Sequence, residues 1–298
     1  MPDTIEAYLA ELRAALAGAD PALVQDAVYD AEDYLRTAAA EGGNTAEAVA
    51  AAIDAYGSPA EIADAYRQTE VTVTAALKRP AAKKSGNPFA RFFGIVADPG
   101  AWGALFYMLM SLVTGIIYFT VAVTGFSLSA GLMILIIGLP MALVFISAVR
   151  GISFAEGRLV EGLLGQRMPR RPRIATTGPN GSLVERLKAW LTDYRTWTTM
   201  LYMVLMLPLG ITYFVIVVTA LATSLGVFVA PIAQWIANTP VIRFGEWGLL
   251  IDPWEAPLWF AAGILGAFAT LWVAKGVGYL HGMFAKVMLV GRFEGGAQ

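Results

Sequence analysis

The chain has 298 residues, 57% of them hydrophobic and only 15% charged, with a mean hydropathy of +0.60. Soluble domains carry about 25% charge, so this composition excludes a disordered or fibrous chain and points to lipid. Cysteine is absent and histidine occurs once, at His281. That excludes a disulfide framework, a thiolate nucleophile and a histidine-pair metal site, and no cofactor is expected. The net charge of −2 hides an asymmetry. Residues 1–70 hold 14 acidic and three basic side chains, whereas residues 71–298 hold 18 basic and nine acidic. A soluble acidic domain joined to a basic membrane domain follows. The N-terminus is acidic and the first long apolar run starts near Ala101, so no secretory signal is expected.

Residues 1–70 predict four short helices from their caps. Asp3-x-x-Glu6 reads as a capping box opening a helix to about Ala17, with Ile5, Leu9, Leu12 and Leu16 on its apolar face. Gly18 ends it. Asp20-Pro21 opens a second helix to about Glu41, with Leu23, Val24, Ala27, Ala31, Tyr34 and Leu35 on its inner side. Gly42-Gly43 stops it. Asn44-x-x-Glu47 opens a third through Ile53 to Tyr56, with Gly57 following it. Ser58-Pro59-Ala60-Glu61 opens a fourth.

The layout Leu9/Leu12/Leu16, Asp30-x-x-Asp33-Tyr34 and Tyr56-Gly57-Ser58-Pro59-Ala60-Glu61-Ile62-Ala63 resembles the HAAS-type helical signalling domain of bacterial membrane proteins. The resemblance implies a cytoplasmic coupling module with a protein partner, a PadR-type transcription regulator or a kinase, and no catalysis. Asp26, Asp30 and Asp33 fall at i, i+4 and i+7 on one helix face. That face reads as a partner-docking or cation surface, or as a solvated acidic face, and composition alone favours the solvated reading.

Residues 71–99 form a linker and membrane approach. Lys78-Arg79-Pro80 and Lys83-Lys84 precede Phe89, Arg91, Phe92 and Phe93, a composition suited to the headgroup layer of an anionic leaflet. Because a membrane segment follows directly, no direct nucleic-acid contact is expected. Four apolar runs are long enough to span a bilayer, at about 101–124, 127–149, 198–221 and 257–280. A fifth, about 224–237, is short and contains Pro231, and reads as interfacial or re-entrant. Basic residues crowd the approach, the 150–195 loop and the tail, whereas the 222–256 loop holds only Arg243. Both termini and the 150–195 loop are therefore expected in the cytoplasm of a bacterial inner-membrane protein.

The membrane half repeats itself. A shift of 95 residues matches 13 of 34 positions over 98–131, among them Asp98 with Asp193, Trp102 with Trp197 and Gly115 with Gly210. The shift then becomes 125, bringing Arg150-Gly151 onto Lys275-Gly276. This predicts two tandem hairpins running parallel: repeat 1 over 100–168, a cytoplasmic loop over 169–192, and repeat 2 over 193–298 with an outer insertion near 227–256. Trp-x4-Tyr, Gly-Ile-x-Tyr-Phe, Val-Thr-Gly, the Gly-Leu-Pro at 138–140 and Leu-Leu-Gly at 163–165 resemble the "putative sensor" membrane domain found on some bacterial histidine kinases. No kinase region accompanies it here, so no kinase activity is implied.

Three further groups are candidates. Tyr118, Thr124, Tyr213 and Thr219 sit alike in both hairpins and either line a ligand cleft or bond within the helices, the commoner use. Ala262, Gly266, Thr270, Ala274, Gly278 and Gly282 recur every four residues and suit close helix packing. In the outer insertion, Arg243, Glu246, Asp252 and Glu255 can order a loop beside four tryptophans of an aromatic belt. His281 reads as a polar residue at the inner end of the last helix. The docking pair for Asp26, Asp30 and Asp33 is the basic set Arg167, Arg170, Arg171 and Arg173, reached through a short tether. The expected fold is all-α, a four-helix cytoplasmic domain plus four transmembrane helices. The expected role is non-enzymatic: a sensor or regulator passing an envelope or lipid signal to a cytoplasmic partner. The alternative is an accessory or scaffold subunit of a membrane transport or envelope complex. The bilayer is a partner in either case, and a homo-oligomer is compatible with both.

Overall fold

A computed structural model describes residues 2–77, 88–135, 137–171, 188, 190–239, 242–244 and 247–290. Among these, helices α1 (Ile5–Ala15), α2 (Pro21–Glu41), α3 (Ala46–Tyr56) and α4 (Pro59–Leu77) form the N-terminal domain. They are followed by α5 (Pro88–Phe93), a 3-10 turn (Gly94–Ala97), α6 (Pro99–Leu132) and α7 (Gly138–Leu159) with a π-helical end over Val160–Leu164. Then come α8 (Tyr194–Ala237), β1 (Ile242–Phe244), β2 (Trp247–Leu249) and α9 (Ala256–Leu289). Among the described residues the fold is helical apart from this antiparallel ribbon, in which Ile242 pairs with Leu249 and Phe244 with Trp247. Four helical stretches among the described residues are long and apolar enough to cross a membrane: Pro99–Leu132, Gly138–Leu164, Tyr194–Ala237 and Ala256–Leu289.

The caps explain the N-terminal helices and correct two of the expected starts. Thr4, not Asp3, caps α1 through Ala7 N–H, and Thr45, not Asn44, caps α3 through Ala48 N–H. Asn44 instead takes a left-handed φ of 56° to close the turn after α2. Asp20 caps α2 ahead of Pro21, as its sequence dictates. Ser58 and Glu61 satisfy each other's backbone N–H groups at the start of α4. Gly57, at φ 102°, supplies the backbone turn that an L side chain resists. Tyr8, Leu12, Leu16, Leu23, Leu35 and Ile53 fill the core. Tyr8 donates to the Gly57 carbonyl at 2.8 Å, and burial pushes its phenol up to about 12. Tyr34, expected inside, is exposed and lies against the Tyr56 ring.

The described residues divide into two compact units. The first gathers the N-terminal domain, residues 121–202 and the chain from Gly282; the second gathers 88–120 and 203–281. In the second unit α6 and α8 cross closely. A Cβ on Gly115 would meet the Met206 carbonyl at 2.5 Å, and one on Gly210 would meet the Ser111 carbonyl at 2.2 Å. Tyr107 of α6 and Tyr213 of α8 both reach the His281 ring of α9, at 2.6 and 3.2 Å. At these levels α6 and α8 cross antiparallel. The two glycine contacts are one contact with the partners exchanged, because Ser111 and Met206 are themselves 95 residues apart.

Three more expectations are corrected. The first helix does not end at 124: α6 continues to Leu132, and Gly125 seats against the Phe145 ring of α7 within the helix pair. Residues 224–237 continue α8 through Pro231. An apolar surrounding tolerates a helical proline that water would not. His281 is buried, not an interfacial end residue. Phe92 and Phe93 pack on Phe268 of α9, and the Phe92 carbonyl accepts the Trp272 indole N–H. The small-residue stripe does serve packing. Gly266 leaves no room for a Cβ beside Ser224 of α8, Thr270 and Ala274 are buried, and Gly263 beside the stripe leaves none next to Phe228.

Candidate functional site

The first unit contains a polar junction between α2 and the segment after α7. Asp26 is only 6% exposed. Its Oδ1 accepts the backbone N–H groups of Arg170 at 2.8 Å and Arg171 at 2.9 Å, and Arg167 stands 3.8 Å from its Oδ2. One turn on, Asp30 pairs with the Arg171 guanidinium at 2.8 Å and accepts the Tyr66 hydroxyl at 2.7 Å. Gln25 donates to the Arg171 carbonyl, and the Arg171 guanidinium stands 6.0 Å from the Tyr29 ring centre. At the start of α2, Asp20 receives Lys286 of α9. Burial raises the Asp26 carboxyl above the usual range, against the pull of the two backbone N–H groups and Arg167. Tyr66 rises as well, through burial and then its bond to Asp30.

The basic segment is held in shape by its own carboxylate. Glu161, in the π turn, binds Arg158 at 2.7 Å and Arg170 at 3.1 Å, while Arg158 also donates to the carbonyls of Met168 and Pro169. Met168 is fully buried. The buried Nε and Nη1 of Arg167 meet no hydrogen-bond partner among the described residues.

The structure thus brings together Asp26, Asp30, Arg167, Arg170 and Arg171. Asp33 stays exposed and takes no part, while Arg173 lies outside the described residues. Asp26 does not sit on a solvated face. Tyr118, Thr124, Tyr213 and Thr219 do not converge: Tyr118 is buried, Tyr213 turns to His281, and both threonines are exposed on the helix surfaces. Glu246 and the Arg243 side chain lie outside the described residues. Asp252 accepts the Trp254 indole N–H, and the Glu255 carbonyl accepts N–H groups of the first turn of α9. The loop there is ordered instead by Gln234, whose amide bonds both the N–H and the carbonyl of Ile251. No cluster of potential metal ligands occurs among the described residues. Sequence reasoning missed Glu161, Lys286 and Gln25. Glu161 had a signal, a carboxylate inside a strongly basic stretch, whereas the contacts of Lys286 and Gln25 arise only from the fold.

A second feature of this unit lies at the start of α8. Asp193 Oδ1 accepts the Arg195 N–H at 3.1 Å, and the Trp197 indole donates to the Leu191 carbonyl at 2.9 Å. The second unit has the same local structure at the start of α6. There Asp98 accepts the Gly100 N–H at 2.8 Å and Trp102 donates to the Val96 carbonyl at 2.8 Å.

Four spanning-length helices carrying a capped helical domain define a multi-pass membrane protein. Family models match in two places: "Putative sensor" over residues 107–289 and HAAS over residues 7–65. The first covers more than half of the chain, and the chain belongs to that family. It runs as one span through both hairpins and does not itself divide them. Both resemblances drawn from the sequence are borne out, and together they fit a membrane sensor or regulatory role of a non-catalytic kind. No curated protein and no solved structure matches the chain.

Proposed function

We propose that the chain is an inner-membrane sensor whose N-terminal domain is a docked output element, released or re-exposed when the membrane half receives an envelope or lipid signal. The observation that carries this reading is the Asp26 carboxylate, buried and capping two successive backbone N–H groups of the basic segment. A carboxylate hydrogen-bonded in this way gives a charge-assisted and directional contact. The surrounding ion pairs are half-exposed and weak one by one. A junction so built can hold a domain in place and still open. A cytoplasmic partner protein would then compete for the α2 face. The Asp20–Lys286 pair supports placing the N-terminal domain and the end of α9 on one side of the membrane, and the excess of Lys and Arg in that region supports the cytoplasmic side.

Hydrogen exchange of residues 166–171 tests the docking. In the full-length protein these amides are expected to be protected, in D26A/D30A to exchange faster, and in D33A to exchange as in the wild type. Equal exchange in all three would overturn the reading.

A further inference from the structure

The first unit has a half-open cavity of about 140 Å³ beside the docking junction. A site of this size holds several waters and has room for a phosphate group. Its wall is divided. Phe154, Met168 and Leu289 give an apolar side, while Arg150, Arg171, Arg195 and Asp193 line the rest. The Asp193 carboxylate caps α8 and stands within electrostatic reach of Arg150, and Arg171 faces Asp30, so the wall keeps a net positive charge. The Arg150 guanidinium stacks over Trp190 at 4.5 Å, which fixes its plane.

We infer that this cavity binds the phosphate of an anionic phospholipid, with Arg150 and Arg195 as its cationic wall. Planar guanidiniums match phosphate oxygens in pairs. The basic segment beside the cavity, from Arg158 to Arg171, has the charge that an anionic leaflet attracts, and the exposed Phe154 ring offers an apolar edge for the start of the chains. The corresponding place in the second unit has a different partner. There Lys275, the counterpart of Arg150, closes on Asp98 at 2.6 Å. The inference rests on the docked reading in one respect: Gln25 of α2 and Arg171 form part of the cavity wall, so lipid occupancy and docking are coupled.

The test uses the full chain in nanodiscs of phosphatidylcholine, alone or doped with phosphatidylglycerol, with retained lipid counted by native mass spectrometry. Phosphatidylglycerol is expected to be retained in preference to phosphatidylcholine. Losing one charge-assisted contact in Arg150→Gln should weaken retention by about tenfold or more. Ser153→Phe, which fills the cavity without touching a charge, should do the same, and Lys275→Gln should leave retention unchanged. Equal retention of the two lipids, or equal loss in Lys275→Gln and Arg150→Gln, would overturn the inference. Glycerol 3-phosphate added to neutral discs is expected to have no effect on exchange of residues 166–171. Protection by it equal to that given by phosphatidylglycerol would assign the cavity to a soluble anion and overturn the lipid assignment. If these amides are protected in every disc while no lipid is preferred, the lipid site fails and the docking stands. If they are unprotected in every disc, the docking itself fails.

Discussion

The starts of α6 and α8 share an aspartate cap and a tryptophan that donates to the carbonyl six residues earlier. They differ in what stands beyond the cap. At α6 the aspartate is sealed by Lys275, whose ammonium also lies 5.6 Å from the Trp272 ring centre, and the surroundings are a packed core of Ile95, Ala101, Leu105, Met108, Val217, Leu271 and Ala274. At α8 the aspartate shares a cavity with Arg150, and the N-terminal domain forms part of the wall. One local motif, set by the same residues, makes a closed frame in one place and an open site in the other. The difference lies in the partner residue and in what packs behind it.

The largest effect is expected in the closed frame. Gly210→Leu and Gly115→Leu force side chains into backbone carbonyls of the crossing helix, which cannot yield as a side-chain end would. Each should cost about 3 kcal/mol or more, the upper end for overpacking, and lower the unfolding temperature in detergent. Gly131→Ala, with open space around it, should have almost no effect. Equal tolerance at the three positions would mean that α6 and α8 do not cross at these glycines.

Next comes the junction. Asp26→Ala leaves two backbone N–H groups without their acceptor and should weaken docking by about 1–3 kcal/mol. Asp26→Asn keeps an acceptor oxygen and removes the charge whose burial is unfavourable, so it should dock nearly as well as the wild type. The pH sign follows from the raised carboxyl of Asp26. Its pKa is higher docked than undocked, so the docked form binds the proton more tightly. The Asp26 contribution to docking should therefore strengthen as pH falls through that raised value and weaken as pH rises above it. Asp26→Asn should lose this component, as read by hydrogen exchange of residues 166–171 across pH.

Much of this was legible in the sequence, for identifiable reasons. Caps are local, so Asp20-Pro21 and Ser58-Pro59-Ala60-Glu61 specify helix starts with no knowledge of the fold. Thr4 and Thr45 were missed because their neighbours Asp3 and Asn44 are equally good caps one position earlier, and only the backbone angle separates them. The docking set was partly legible, since opposite charge on a short tether brings α2 and the basic segment together. The burial of Asp26 was not, because period and charge cannot tell a solvated face from one covered by a distant segment. Pro231 and Gly125 misled for a shared reason. They break helices in water and are tolerated within packed apolar ones. The antiparallel crossing of α6 and α8 left no trace in a repeat pattern, which reports similarity and not direction.

Smaller effects separate the two helix starts. Lys275→Gln removes a half-exposed ion pair and should cost no more than about 1 kcal/mol of stability, measured by thermal unfolding. The topology has a clean label test, because the native chain has no cysteine. Single cysteines at Asp33 and at Trp254, both exposed, should react from opposite sides of the membrane. α9 has 34 residues, or about 50 Å at 1.5 Å per residue, with Lys286 at the end that meets the N-terminal domain. Reaction of both cysteines from one side would contradict a spanning α9.

The central claim is that the acidic domain sits on the basic segment and leaves it when the junction is broken. Spin labels at Asp33 and Gly151, both exposed and both within the first unit, measure this directly by pulsed dipolar spectroscopy on the full chain in nanodiscs. A single narrow distance is expected in the otherwise wild-type protein, and a broad distribution shifted to longer distances in D26A/D30A. The same distribution in both proteins would contradict the account.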